Sequence, residues 1–373
     1  MSGRAAASRT LRRPMDLATL HHRLRDAGAA APHATHLLRQ WLRGGPLDAP
    51  YRGDPNFLPG RLRDALPGVV AMLDGLARIE ARHPAADGGE RLLATLADGR
   101  SVETVLLPRG SLCVSTQVGC AVGCGFCTTG RDGLLRQLGA AEILAQVAIA
   151  RRLRAVRTVV FMGMGEPAHN LDAVLDAIGV LGVEGGIAHK QLVFSTVGDR
   201  RAFERLPLGA VRPALALSLH TTRADLRERL LPRAPRIAPD ELVALACGYA
   251  DATGHPLLVQ WTLLDGVNDG PDEVDGIARL LAGRRALLNA IPWNAVEDAG
   301  FARPSYERSI DFVRALRMRG VMASLRWSAA QDVDGGCGQL RARRAGDRPA
   351  VERPVAGPVG SLRARRPGTP APR

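Results

Sequence analysis

Apolar residues recur at helical spacing between residues 21 and 80, as in His36-Leu37-Leu38-Arg39-Gln40-Trp41-Leu42, and proline and glycine punctuate the segments. This pattern predicts a small helical accessory region. Residues 92–107 then alternate around Ala97-Asp98-Gly99-Arg100, which predicts a short hairpin turning at those four residues. From Leu112 onward, short apolar runs alternate with longer helical patterns, the signature of repeated βα units and a parallel sheet. Strands are predicted near residues 112–118, 158–162, 192–195, 214–218, 257–263 and 288–291, with a further one near 321–326. Three regions follow: an N-terminal helical accessory domain with its hairpin (1–100), an α/β domain (101–340), and a tail (341–373) whose Arg-Pro-Gly-Ala composition is that of a disordered segment.

Composition narrows the setting. No run of about 18 uncharged apolar residues occurs, so no membrane span is expected. No N-terminal stretch has the apolar core of a signal peptide, so the expected location is cytoplasmic, with reduced thiols. The net charge of +13 sits mostly in the ends: residues 1–13 hold four arginines and no acid, and residues 341–373 hold nine arginines against two acids. The ends therefore read either as solvated extensions or as RNA-contacting arms, and the charge is weak support for a basic face on the folded body. Met15, followed by Asp16-Leu17 and a helical pattern, is a second candidate start. Aromatic residues make up 4% of the chain, and no aromatic platform for bases is expected.

The chemistry is concentrated in cysteine. Cys120, Cys124 and Cys127 are spaced Cys-x3-Cys-x2-Cys, among Gly119, Gly123 and Gly125, which let a loop wrap a bulky core. Three thiolates suit a [4Fe-4S] cluster with one iron left open to a small molecule. The alternative is a structural zinc site, which needs a fourth ligand; with no second CxxC available, His220 or Cys113 would have to supply it. Cys247 lies on an apolar helical pattern and reads as a buried, inert thiol. Cys113 lies on an apolar strand, and Cys337 lies in Asp334-Gly335-Gly336-Cys337-Gly338-Gln339, where flanking glycines predict an exposed, mobile thiol.

With the cysteine motif, the chain resembles the radical S-adenosylmethionine (SAM) enzymes. Further blocks sharpen this: Phe161-Met162-Gly163-Met164-Gly165-Glu166-Pro167, Ser218-Leu219-His220, Leu264-Asp265-Gly266-Val267-Asn268-Asp269, Ile291-Pro292-Trp293-Asn294 and Cys337-Gly338-Gln339-Leu340. In this order, over about residues 101–340, they resemble a divergent member of the radical SAM adenine-C2 RNA methyltransferases, whose close relatives methylate adenine C8 in ribosomal RNA. The resemblance implies a partial (β/α)6 TIM-like barrel behind a small helical N-terminal domain, with each motif at a strand's C-terminal end. It implies one [4Fe-4S] cluster on Cys120, Cys124 and Cys127, and SAM held by Gly165, Glu166, Ser195, Ser218, Leu219, His220 and Asn294. It implies that Cys337 is methylated and forms the covalent link to RNA, that Cys113 releases the product through a transient disulfide, and that Glu103 accepts the ring proton. The partners it implies are ribosomal or transfer RNA and an electron donor such as flavodoxin or ferredoxin, acting on a monomer.

An adenine C2 or C8 carbon is neither nucleophilic nor acidic, so polar transfer from SAM cannot reach it and a radical route is required. From residues alone, Glu103 is a surface strand glutamate, and His220 a structural histidine. The chain departs from the family pattern in having Gly335-Gly336 where Ala-Ala is usual, which predicts a loosened Cys337 loop, and in lacking the arginine-rich stretch before Cys337. Two further readings stand beside this one. A radical SAM enzyme with a non-RNA acceptor is favoured if no basic rim adjoins Cys337, and a metal-stapled RNA-binding module would be a zinc protein without SAM cleavage.

Overall fold

The computed structural model describes residues 14–296 and 299–342. The arginine-rich start and nearly all of the tail expected to be disordered lie outside the described residues. The first three helices are α1 (Leu17–Asp26), α2 (Ala31–Arg43) and α3 (Gly60–Asp74). Asp16 starts α1 by accepting the Thr19 N–H at 2.7 Å, and Gly44, at φ 71°, ends α2 in the left-handed conformation that glycine adopts without strain. Leu20 and Leu24 of α1, and Leu37, Leu38, Trp41 and Leu42 of α2, turn their shared faces inward and are buried.

Next come β1 (Ala77–Pro84), β2 (Glu90–Leu96), β3 (Ser101–Leu107), β4 (Ser111–Cys113), β5 (Gln117–Gly119), β6 (Leu134–Gln137) and α4 (Ala140–Arg151). The βα units continue with β7 (Thr158–Phe161), α5 (Leu171–Val183), β8 (Leu192–Thr196), α6 (Arg200–Arg205), β9 (Ala214–Ser218), α7 (Ala224–Leu230), α8 (Pro239–Thr253), β10 (Leu257–Leu263), α9 (Pro271–Leu281), β11 (Ala286–Pro292), α10 (Tyr306–Met318) and β12 (Ala323–Leu325). One sheet runs β1-β2-β3-β4-β7-β8-β9-β10-β11-β12, antiparallel as far as β4 and parallel from β4 to β12. The parallel part is the α/β array expected from the sequence, and all seven of its strands fall on expected positions.

Two expected elements change, and the expected domain boundary lies within one continuous sheet. The helical spacing extends to residue 80, but α3 stops at Asp74, and Ala77–Pro84 forms β1, with exposed and part-buried positions alternating after the buried Ala77. The boundary near residue 100 falls in the turn between β2 and β3, which pair antiparallel, with Gly99 at φ 80°. The helical region shares one core with the sheet, because α1 and α2 pack on α4 and bury its outer face. Finally, the run expected as one strand at 112–118 divides. Ser115 gives its N–H and C=O to the Gln146 side chain, both at 2.9 Å, so the chain leaves the main sheet, and β5 pairs with β6 as a separate ribbon.

Across β9–β12 the register aligns Ser218, Gln260, Asn289 and Ser324 as one polar rung on the face of the sheet opposite the buried Leu217, Val259 and Leu288. Below that rung Ala216, Leu258 and Leu287 form an apolar one. The strands' C-terminal ends open above, the side on which α/β sheets build their sites.

Candidate active site

Two loops form the floor of the opening. The loop between β5 and β6 carries Cys120, Cys124 and Cys127. Gly119, at φ 80°, lies directly against the Gly133 carbonyl, which accepts the Cys120 N–H at 3.0 Å; a Cβ at Gly130 would stand 2.7 Å from the Gly123 Cα. The glycines are therefore required by close backbone approach. The Cys127 N–H donates to the Cys124 carbonyl at 3.0 Å, and the Trp293 indole donates to the Phe126 carbonyl at 3.0 Å. Burial pushes the Cys120 thiol up to about 12, and burial together with Cys127, Cys120 and Glu166 holds Cys124 well above the ordinary thiol range. Thiols so placed ionise only beside a compensating positive centre.

The second loop carries Cys337. The Thr128 N–H donates to the Gly338 carbonyl at 2.7 Å, and the Thr129 hydroxyl to the Leu340 carbonyl at 2.6 Å, so the two cysteine loops are directly bonded. Cys337 is exposed to solvent, as its flanking glycines suggested, yet it lies low enough among protein that burial raises its thiol, opposed by the Ser328 hydroxyl and Arg326. Cys113, half-buried at the end of β4, is raised by burial and then by the nearby Cys337. All six cysteines are free, so the disulfide expected between Cys113 and Cys337 is not formed here. Nor is the loop loosened by Gly335 and Gly336. A Cβ at Gly335 would stand 2.8 Å from the Ala330 Cβ, and one at Gly336 would stand 2.6 Å from Gln339 Oε1 and 2.8 Å from Asn294 Nδ2. These glycines let the loop pack more tightly.

The strand ends supply the rest. Gly165, at φ 104°, leaves room for the Gln117 side chain, which a Cβ would meet at 2.6 Å. Glu166 is buried; one carboxylate oxygen accepts the Ala168 N–H at 3.0 Å and the other the Val197 N–H at 3.0 Å, and burial raises its pKa. Ser195 is buried on β8, and Ser218 is half-exposed at the end of β9. The Leu219 side chain belongs to the core and does not reach the opening. His220 adopts φ 64°, a strained conformation for a side-chain-bearing residue, fixed by Asn268 donating to its carbonyl at 2.7 Å. Its Nδ1 accepts the Thr262 N–H at 2.9 Å, and its ring meets Phe126 edge-on at 4.8 Å. Burial, and then Arg227, push its pKa down to about 3, so the ring is neutral with its proton on Nε2.

Asn294 is committed to the Cys337 loop. Its Nδ2 donates to the Cys337 carbonyl and the Ser328 hydroxyl, both at 2.9 Å, while Oδ1 accepts from Arg303 at 3.0 Å. Glu103 is not on the surface: it is 1% exposed, because β3 lies between β2 and β4. It pairs with Arg91 and accepts the Arg341 and Ala342 N–H groups at 2.7 and 2.9 Å.

Three features escaped the sequence reading. Arg227 of α7 is buried, donates to the Leu219 and Val197 carbonyls, and leaves its Nε without a partner. Tyr306 and Trp327 stack at 6.0 Å and 18°, with Arg303 lying 5.2 Å from the Trp327 ring centre, so an aromatic and basic rim adjoins Ser328 and Cys337. The rung of Gln260 and Asn289 also carried no local signal. The only available hint was Trp327, a rare aromatic in an aromatic-poor chain, ten residues before Cys337.

Comparison with known proteins bears on this constellation. The profile of the Radical SAM superfamily matches residues 114–281. The chain is 63% identical over 339 residues to a probable RNA methyltransferase of Thiobacillus denitrificans, covering 91% of this chain and 94% of that one. A second probable RNA methyltransferase, from Pseudomonas aeruginosa, is 60% identical over 326 residues, 87% of this chain and 94% of its own. Among solved structures, a radical SAM methyltransferase from Sphaerobacter thermophilus superposes with a TM-score of 0.76 at 36% identity, covering 88% of this chain and 98% of that one. The chain belongs to this radical SAM methyltransferase family.

Family membership implies a [4Fe-4S] cluster and SAM, and the residues present fit both. Among the described residues, Arg227 is a buried cation with an orphaned N–H and no carboxylate in hydrogen-bond contact; Cys124 and Glu166 are the negative groups that raise its pKa, against a burial that lowers it to about 10. Such a charge is tolerated where anionic groups gather, as a thiolate-bound cluster and a SAM carboxylate would. A closed zinc site is not assembled: among the described residues no three His, Cys, Asp or Glu side chains converge on the geometry of one metal ion. In a cubane each thiolate takes its own iron, so such convergence is not needed. No helix among the described residues is long and apolar enough to cross a membrane.

Proposed function

We propose that this chain methylates an adenosine ring carbon, C2, in ribosomal or transfer RNA through S-methylation of Cys337. The observation that carries this reading is the hydrogen-bonded contact of the Cys337 loop with the Cys120–Cys127 loop, through Thr128 to Gly338 at 2.7 Å, with Cys337 near enough to raise the Cys113 thiol. A structural cysteine would have no reason to stand exposed above three cluster-spaced thiols.

When bound on Cys120, Cys124 and Cys127, the cluster supplies the electron for reductive SAM cleavage, drawing on a donor such as flavodoxin or ferredoxin. The chain does the remainder. Glu166, Ser195, Ser218, His220 and Asn294, at or just beyond strand ends, are the residues that would hold SAM, and neutral His220 would offer it an Nε2–H. Cys337 would carry a methyl group taken from one SAM; that group would lose a hydrogen atom to the 5′-deoxyadenosyl radical of a second SAM, and its methylene carbon would bond to the ring carbon, the adduct giving up one electron to the oxidised cluster. Cys113, one strand end away, would then attack the Cys337 sulfur, forming the S–S bond and breaking the S–C bond, so that the base leaves with the former methyl carbon, which takes up a proton. Glu103 takes the ring proton; its Oε2 already accepts two N–H groups, so the open acceptor position is on Oε1, beside Arg91. The rim of Arg303, Arg326, Trp327 and Tyr306 favours RNA over a non-RNA acceptor, because it offers cations to phosphate and rings to an unstacked base.

The test is anaerobic reconstitution with iron and sulfide, exposure to SAM and bulk cellular RNA, and mass spectrometry of the Cys337 peptide. A methyl group on Cys337, and RNA trapped on Cys337 in the Cys113→Ala variant, are expected, and sequencing the trapped RNA names the substrate. SAM cleavage with Cys337 unmodified ends this reading.

A further inference from the structure

The Cys337 loop is tied to the N-terminal hairpin at points on either side of the cysteine, and all the ties meet near one buried ion pair. Arg91 on β2 is buried, donates through one guanidinium nitrogen to Glu103, and through Nε to the Val333 carbonyl at 2.6 Å. Glu103 passes the connection onward by accepting the Arg341 and Ala342 N–H groups at 2.7 and 2.9 Å. Val333 lies four residues before Cys337 and Arg341 four residues after it. One Arg-Glu pair therefore closes the base of the loop, as a clasp holds both ends of a strap.

The turn between β1 and β2 adds a reciprocal pair. Asp87 accepts the Ala330 N–H at 2.9 Å, and Asp332 accepts the Ala86 N–H at 3.0 Å. Side-chain packing follows the same line: a Cβ at Gly335 would stand 3.5 Å from the Arg91 Cβ, and one at Gly89 3.2 Å from the Ala330 Cβ. The hairpin is antiparallel and comes before the first parallel strand, so nothing in the barrel's topology needs it here.

We propose that Arg91 is a positioning residue which, through Glu103 and Val333, sets the height of Cys337 above the cluster loop, with the β1–β2 turn as its outer brace. The catalytic consequence rests on the role given to Cys337 above, whereas the tether does not. Arg91 touches neither substrate nor cofactor and acts through the backbone that carries the thiol and through Glu103, whereas Asp87, which does not contact Glu103, braces the backbone alone. Because a methyl carrier must meet SAM at one moment and RNA at the next, a displacement of about 1 Å is enough to cost on the order of 100-fold in rate.

The experiment compares the reconstituted full-length protein with Arg91→Gln, Arg91→Lys and Asp87→Asn. Hydrogen exchange of peptides spanning residues 330–342 is read beside the methylation kinetics. In Arg91→Gln we expect exchange there to rise roughly tenfold, the effect of losing a hydrogen-bonded tether on local opening. Exchange in the β8–β10 core should stay unchanged, and kcat for RNA methylation should fall on the order of 100-fold at constant KM for SAM. Arg91→Lys, which can hold Glu103 but not both acceptors together, should recover part of the rate. Asp87→Asn, in an exposed turn, should move exchange in the same direction by less, and serves if Arg91→Gln does not fold. Unchanged exchange overturns the clasp whatever happens to activity. Raised exchange with undiminished methylation overturns the positioning role. Wild-type protein that never methylates RNA overturns the proposed function, while the exchange data still decide the clasp.

Discussion

Placing alanine at Gly336 sets a new methyl group against the side chain that holds Cys337. The Cβ would stand 2.6 Å from Gln339 Oε1, 2.8 Å from Asn294 Nδ2 and 3.1 Å from Asn294 Cγ. Gln339 can swing away, since its other hydrogen bond, to the Ala295 carbonyl, is long at 3.3 Å. Asn294 cannot move without giving up its bonds to the Cys337 carbonyl and Ser328, both at 2.9 Å, and to Arg303 at 3.0 Å. At about 1 kcal/mol net for each of the two Nδ2 bonds, Gly336→Ala should cost the loop ~2 kcal/mol, or roughly 30-fold in its local opening equilibrium. The assay is hydrogen exchange across residues 330–342, paired with the rate of Cys337 methylation. A double-mutant cycle sharpens it. In an Asn294→Ala background the methyl finds room, so Gly336→Ala should add little there, and the coupling energy should approach ~2 kcal/mol. Additive effects, or a Gly336→Ala protein with wild-type exchange, would refute the claim that this glycine exists to admit Asn294.

Other consequences are open to separate measurement. His220 is held near pKa 3 in the folded protein, below its ordinary value of 6.5, so the unfolded chain binds the extra proton, and this site's contribution to stability is present above pH 6.5 and lost as pH falls toward 3. His220→Gln, which retains an acceptor for Thr262, should flatten the stability decline between pH 7 and pH 5 in urea unfolding; an unchanged slope assigns the decline elsewhere. Trp327→Ala should raise KM for RNA by roughly tenfold or more if the ring stacks on a base, and an unchanged KM removes it from the RNA surface. Arg227→Gln removes a buried positive charge that Cys124 feels, so the cluster should become harder to reduce, with a more negative midpoint in a redox titration. An unchanged or raised midpoint would place Arg227 outside the cluster's field.

The parallel strands were legible because each reads as a short, largely apolar run between helical stretches, and the central ones bury most of both faces, as Leu192–Thr196 and Leu257–Leu263 do. The cysteine motif was legible because its spacing is itself the chemistry. What stayed hidden depends on contacts between residues far apart in the chain. Glu103 reads as a surface residue because Val-Glu-Thr-Val alternates as an exposed strand would, and only Arg91, diagonally across on β2, and the 333–342 segment bonded over both make it a buried ion pair. Arg227 sits in Ala-Asp-Leu-Arg-Glu-Arg-Leu, where nothing separates it from Arg229; the helical turn decides which of the two faces Cys124. Gly335 and Gly336 misled for a related reason, since glycine permits both looseness and close approach, and the neighbours at Ala330 and Asn294 decide between them.

Asn294 shows how far one side chain can serve two duties. A primary amide has two N–H donors and one oxygen with two lone pairs. Both donors are spent on Cys337 and Ser328, and one lone pair on Arg303, so a single acceptor position remains. If Asn294 also touches SAM, it does so by accepting from a hydroxyl or ammonium of the cofactor, never by donating to its carboxylate. Asn294→Asp separates these duties. The carboxylate keeps the acceptor and the bond to Arg303 but loses both donors, leaving the Cys337 carbonyl without its partner at 2.9 Å. We expect affinity for SAM, read by isothermal titration, to stay within about twofold, while exchange across residues 330–342 rises roughly tenfold, as the loss of one to two hydrogen bonds requires. Asn294→Ala, which removes the acceptor as well, should lose both. If Asn294→Asp instead abolishes SAM binding and leaves the loop quiet, the amide donates to the cofactor, and the arrangement that holds Cys337 here must open whenever SAM is bound.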